Sequence, residues 1–165
     1  MYKRQPGILR EFPSAQIVLA CRPKTPRAHL VEAQLRDRLQ TEPRVRIAGE
    51  ISDMRALLAA SSVVVLPADT TYAKADLPLV LLEALAEGTP IVVSDRPPLT
   101  EILQDDVGLA VPPSAPLPLA NAVARILGDP ERRATMSANA RKLARARFSA
   151  KVMAAEYERL YSELL

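Results

Sequence analysis

Glu83 is the residue of this sequence best placed to do chemistry. It stands in Leu77-Pro-Leu-Val-Leu-Leu-Glu-Ala-Leu-Ala-Glu-Gly-Thr-Pro-Ile-Val-Val-Ser-Asp95, an apolar run that reads as a helix turning at Gly88-Thr89-Pro90 into a buried strand. Leu77 to Leu82 and the alanines at 84 and 86 leave little polar surface, so this helix is expected to be largely enclosed. A carboxylate in such a place loses hydration unless something hydrogen-bonds to it. A ligand with paired hydroxyls would do so. A neighbouring backbone or basic group would serve as well.

Other chemistries find little material. Cys21 and His29 are each alone, which rules out an intrachain disulfide, leaves a zinc ion almost without ligands and makes a reducing cytosol the simplest setting. The five glycines, at 7, 49, 88, 108 and 128, never come closer than twenty residues, so no Gly-x-Gly-x-x-Gly dinucleotide turn exists. Gly-x-Ser-x-Gly is absent too, against a serine hydrolase. Aromatics make up 4%, which argues against a base-stacking nucleic-acid surface. No apolar run approaches the ~20 residues that span a bilayer, and nothing resembles a signal peptide.

The net charge of +3 is unevenly spread. Residues 1–46 carry ten basic and four acidic side chains, residues 47–127 four and ten, and residues 128–165 eight and five. An acidic centre suits an anionic ligand only if backbone amides, and cations elsewhere, handle its charge. The basic stretch Arg132, Arg133, Arg141, Lys142, Arg145, Arg147 and Lys151 reads first as a solvated helix face, with contact to an anionic membrane surface second.

The elements that must position Glu83 alternate along the chain. Strands are expected at Gln16–Ala20, Arg44–Ala48, Ser62–Leu66, Ile91–Val93 and Leu109–Val111. Helical patterns fill Arg27–Gln40, the stretch from the Ser52-Asp53 cap to Ala60, and Pro97–Leu103. Three helical stripes follow: Leu119, Val123, Ile126, Leu127; Met136, Ala140, Leu143, Ala144; and Met153, Tyr157, Leu160, Tyr161, Leu164. Asp76-Leu77-Pro78 is expected to open the Glu83 helix with Asp76 as an N-cap candidate. This order predicts an α/β domain with one parallel sheet covered on both faces. In such a sheet, ligands collect beyond the carboxyl ends of the strands.

The Glu83 segment resembles the donor-sugar motif of retaining glycosyltransferases built from two Rossmann-like domains, the GT-B architecture. It is most similar to the glycosyl transferases group 1 family, whose members carry Glu-x7-Glu, an Ala-rich turn and Gly-x-Pro-(Ile/Val)-Val-x-Ser-Asp. The matching pieces are Leu79 to Ala84, Gly88 to Asp95, Leu99-Thr100-Glu101-Ile102 and Gly108 to Pro113, with Ile47 to Ile51 and Ser62 to Pro67 upstream. The resemblance implies one half of a GT-B enzyme of hexosyltransferase type, using a nucleotide-diphosphate sugar and no metal or other cofactor. With Cys21 alone and the basic stretch as described, a cytoplasmic place is expected, at most peripheral to the inner membrane surface. No nucleic-acid partner is expected.

It also implies that the chain lacks part of its parent. The family's domain opens with a central strand, a Gly turn and a helix with an Arg and a Lys for the diphosphate, and none of these precedes Gln16. Residues 1–7 are expected to be a non-native or disordered leader. Residues 8–165 would be a partial C-terminal nucleotide-sugar-binding domain without its N-terminal acceptor domain. Loss of a central strand should expose the strand edges at Gln16 and Ser62.

The resemblance gives Glu83, as the second glutamate of the motif, the ribose hydroxyls. A helix start offers unpaired amides to a diphosphate, and here those are Leu79 and Val80, since Pro78 has no N–H. Counting eight residues back from Glu83 reaches Ala75, not the family's first acid. Asp76 is a candidate replacement holding a donor-sugar hydroxyl, with Lys74 near the phosphates; as a plain alternative Asp76 is only an N-cap. Gly49 and Glu50 are candidates to flank the nucleobase, or simply a turn after a strand. Asp95 reads as a turn or cap residue. The departure at Ala75 keeps open a non-catalytic relative that binds a nucleotide sugar or a partner.

Overall fold

Short apolar runs punctuated by Pro and Gly fold here into parallel strands joined by helices. The computed structural model describes residues 5–69 and 77–164. The chain divides into two units, Pro6–Met54 and a second one containing Arg55–Leu165.

In the first unit, α1 (Gln5–Glu11) precedes β1 (Ile17–Ala20), α2 (Pro26–Leu39) and β2 (Val45–Ala48). α1 takes in the last residues of the stretch expected as a leader. β1 and β2 pair in parallel from Ile17↔Val45 to Ala20↔Ala48. Leu9, Leu19, Leu35 and Val45 form the core. α2 starts where Thr25 accepts a hydrogen bond from the Ala28 amide (3.1 Å) with Pro26 at the first helical position. Arg44 pins α1 by donating to the carbonyls of Leu9 (2.9 Å) and Pro13 (3.2 Å). Its hydrogen bonds to Glu42 hold that carboxyl below the usual carboxylate range.

The second unit runs α3 (Met54–Ala60), β3 (Val64–Leu66), α4 (Leu79–Glu87), β4 (Ile91–Ser94), a short 3₁₀ turn at Leu99–Ile102 and β5 (Gly108–Val111). It closes with α5 (Pro116–Leu127), α6 (Pro130–Arg147) and α7 (Ala150–Leu164). Its sheet has the order β3-β4-β5, all parallel. β4 is central and buried along its whole length, which is why Ile91-Val-Val reads as a continuous apolar run rather than an alternating one. Gly108 pairs opposite Ile91, and a Cβ at 108 would strike the Ile91 carbonyl. α6 lies against both α4 and α5.

The expected α/β fold of parallel strands with flanking helices is present, and its strands form two sheets: among the described residues β1 pairs only with β2 and β3 only with β4, as the expected loss of a central strand between them implies. The stripe on α7 does depart from expectation. Met153, Tyr157, Leu160, Tyr161 and Leu164 face solvent, with the two tyrosine rings stacked on each other. Among the described residues no helix is long and apolar enough to cross a membrane.

Candidate functional site

β3, β4 and β5 end together, at Leu66, Ser94 and Val111. α4 leads from the segment after β3 back to the start of β4, so its first turn lies at this carboxyl edge, where a parallel sheet collects ligands. Pro78 is its N-cap, in extended conformation (φ −61°, ψ 122°), and supplies no side-chain cap. The Leu81 amide is already spent on the Pro78 carbonyl at 2.9 Å. Leu79 and Val80 therefore open the helix with amides that no intrahelical carbonyl can reach. The positive end of the helix dipole lies at the same place.

Glu83 stands one turn further on, on the face of Leu79. Both are exposed, Leu79 to 67%. Burial is confined to Leu81, Ala84 and Leu85. The enclosed helix expected from composition is corrected here: one side of α4 is sealed and the side carrying Glu83 is open. Among the described residues Glu83 has no hydrogen-bond or ion-pair partner. The other acid of α4 differs, since Glu87 is paired with Arg55. Glu83 is thus the carboxylate of this helix left open to solvent.

The expected Asp76 cap is also displaced, because the helix starts at Leu79 with Pro78 as its cap. Asp76 and Lys74 themselves lie outside the described residues. Gly49 and Glu50 follow β2 in the first unit. A Cβ at Gly49 would meet nothing within 4 Å, so no close approach calls for glycine, and Glu50 is exposed with Arg22 at 3.5 Å. Asp95 is exposed past the end of β4, its amide donating to the Val111 carbonyl at 2.7 Å.

Three features went unread in the sequence. Asp69, just after β3, accepts from the amide (3.0 Å) and hydroxyl (2.8 Å) of Ser114, just after β5. This ties two loops of the carboxyl edge together and holds Ser114 at a φ of +53°. The signal was an aspartate after one strand and a serine after another, which spacing alone does not join. Second, the basic stretch is not simply a solvated face. Arg132 reaches Asp106, Arg133 the Leu127 carbonyl, Arg141 the Glu87 carbonyl and Arg147 the Gln104 side chain.

Third, Ser94 at the end of β4 is fully buried and its hydroxyl has no hydrogen-bond partner among the described residues. A buried unpaired hydroxyl costs on the order of 1–3 kcal/mol. Ser94→Ala should accordingly leave the folded chain as stable or more stable, by up to about 1 kcal/mol, in denaturant unfolding. A loss of stability beyond that margin would show that the hydroxyl has a partner.

Residues 28–143, more than half of the chain, match the family described as glycosyl transferases group 1. Among curated proteins, an exopolysaccharide phosphotransferase of Streptomyces coelicolor is 34% identical over 123 residues, covering 73% of this chain and 13% of that protein. An alpha-D-kanosaminyltransferase of Streptomyces kanamyceticus is 32% identical over 124 residues, covering 73% and 31%. Among solved structures, sucrose-phosphate synthase from Thermosynechococcus elongatus superposes with a TM-score of 0.77 at 29% identity, covering 96% of this chain and 40% of that one. Anabaena HepE, solved in complex with UDP, gives 0.76 at 25%, covering 98% and 46%. The chain spans less than half the length of each of these proteins. The family match, the parallel strands and the open helix after β3 agree: this chain belongs to the glycosyl transferases group 1 family and has the fold of a GT-B glycosyltransferase domain.

Proposed function

We propose that the chain is the donor-binding part of a retaining, metal-independent glycosyltransferase that uses a nucleotide-diphosphate sugar. One observation carries this reading: Glu83 is exposed, without a partner among the described residues, one turn inside a helix start that has no side-chain cap, at the carboxyl edge of the sheet. The carboxylate accepts hydrogen bonds from the two ribose hydroxyls. The amides of Leu79 and Val80 donate to the diphosphate. As the bond to the sugar breaks, negative charge grows on the departing diphosphate, and the positive helix end stabilises it without a metal ion. Asp76 takes a donor-sugar hydroxyl in place of the acid that Ala75 replaces, with Lys74 beside the phosphates. The kanosaminyltransferase relative and the UDP complex of HepE support a nucleotide-sugar donor. The acceptor is held by a part of the parent protein outside this chain.

The test uses the protein expressed from its full reading frame, a panel of nucleotide-diphosphate sugars, and excess EDTA. Product is expected to keep the donor's anomeric configuration, seen by NMR, at a rate that EDTA changes less than twofold. Inversion, or abolition by chelator, defeats the mechanism. The 165-residue chain alone should transfer nothing. Transfer at an undiminished rate would defeat the half-site reading. Ala75 in place of an acid favours a second reading, a relative that binds nucleotide sugars without transferring them. Binding without product in the same assay would establish it.

A further inference from the structure

We propose that Arg141 is a positioning residue for the donor site, holding the C-terminal end of α4 and through it the placement of Glu83. The inference rests on the reading of Glu83 given above. α4 has nine residues, about 13 Å of rigid rod, and its open first turn has no side-chain cap. Its direction must be set elsewhere: by the buried Leu81, Ala84 and Leu85, and by whatever grips its far end.

Arg141, on α6, supplies that grip. Its Nη2 donates to the Glu87 carbonyl at 2.9 Å, and its Nη1 donates to Ser137 Oγ, one turn earlier on α6, at 2.8 Å. Two bonds at different nitrogens fix the plane of the guanidinium. The group lies flat against Gly88, where a Cβ would run into it. A cation at a helix C-terminus also meets the negative end of the dipole. Pivoting a rod of this length by ~10° moves its other end by roughly 2 Å. Misplacement on that scale is enough to spoil a binding geometry.

The same helix provides its own control. Arg133 donates to the Leu127 carbonyl at 3.2 Å, capping α5 in the same manner, and α5 carries none of the donor-site residues. A purely structural role predicts that the two arginines behave alike. A positioning role predicts that only Arg141 affects the ligand.

The experiment measures dissociation constants for UDP, GDP and TDP by calorimetry on the full reading frame, following whichever binds most tightly. Arg141→Ala should weaken binding about tenfold, Arg141→Lys less, and Arg133→Gln less than twofold. In a double-mutant cycle, Arg141→Ala should cost less on top of Glu83→Ala than it does alone, because part of its effect passes through the carboxylate and the rest through the Leu79 and Val80 amides of the same helix. Should Arg141→Ala not fold, Ser137→Ala removes one of the two bonds and should weaken binding two- to threefold. Unchanged binding in a folded Arg141→Ala, full additivity with Glu83→Ala, or an equal effect from Arg133→Gln would each overturn the proposal while leaving the donor-site reading intact. Unchanged binding in Glu83→Ala would remove that reading, and this inference with it.

Discussion

Glu83→Ala is expected to weaken binding of a nucleoside diphosphate by about 10- to 100-fold, some 1.4–2.7 kcal/mol. Two hydrogen bonds to a charged acceptor account for a loss of this size once weakened by the open surroundings of the side chain. A more specific signature lies in the sugar. If the carboxylate holds the ribose hydroxyls, wild-type protein prefers UDP to its 2′-deoxy counterpart, and Glu83→Ala binds the two alike. Glu83→Gln keeps one acceptor oxygen and should fall between. Folding cannot account for such losses. Glu83 is exposed and has no partner among the described residues, so its removal should change stability by less than about 0.5 kcal/mol in denaturant unfolding. Ribose preference that survives Glu83→Ala would place the sugar against some other group.

Sequence patterns fared differently on different elements, for reasons of packing. α6 carries its expected stripe inward, with Met136, Ala140, Leu143 and Ala144 all buried, because a helix polar on three sides can only be covered on the fourth. β4 was legible because strands buried on both faces carry no alternation. α4 was not, in one respect that matters. A helix apolar all round does not say which face is covered, so its composition suggested enclosure while Leu79 and Glu83 stand in the open. α7 shows the converse, a clean apolar stripe that meets no buried surface among the described residues. The long reaches of Arg132, Arg133, Arg141 and Arg147 depend on which helix ends come together, and charge pattern along one helix holds no record of that. The position of Glu83 could be read in advance. What surrounds it could not.

Gly88→Ala is expected to cost about 2–3 kcal/mol of folding stability, and the cost should split into two separable parts. Gly88 ends α4 in the left-handed region, at a φ of +77°, where its amide bonds the Leu85 carbonyl while the Thr89 amide reaches Ala84 at 2.8 Å. A side chain in that conformation costs roughly 1–2 kcal/mol. The second part is the collision with the Arg141 guanidinium, which must leave the Glu87 carbonyl to make room. That bond is exposed, so its loss adds only about 1 kcal/mol. In an Arg141→Ala background the collision partner is gone, and the same substitution should cost only the backbone share. Denaturant unfolding of the four proteins reads this directly. Equal costs in the two backgrounds would mean that the arginine does not lie against Gly88, and the grip on the end of α4 would have to be assigned to the Schellman-type turn alone.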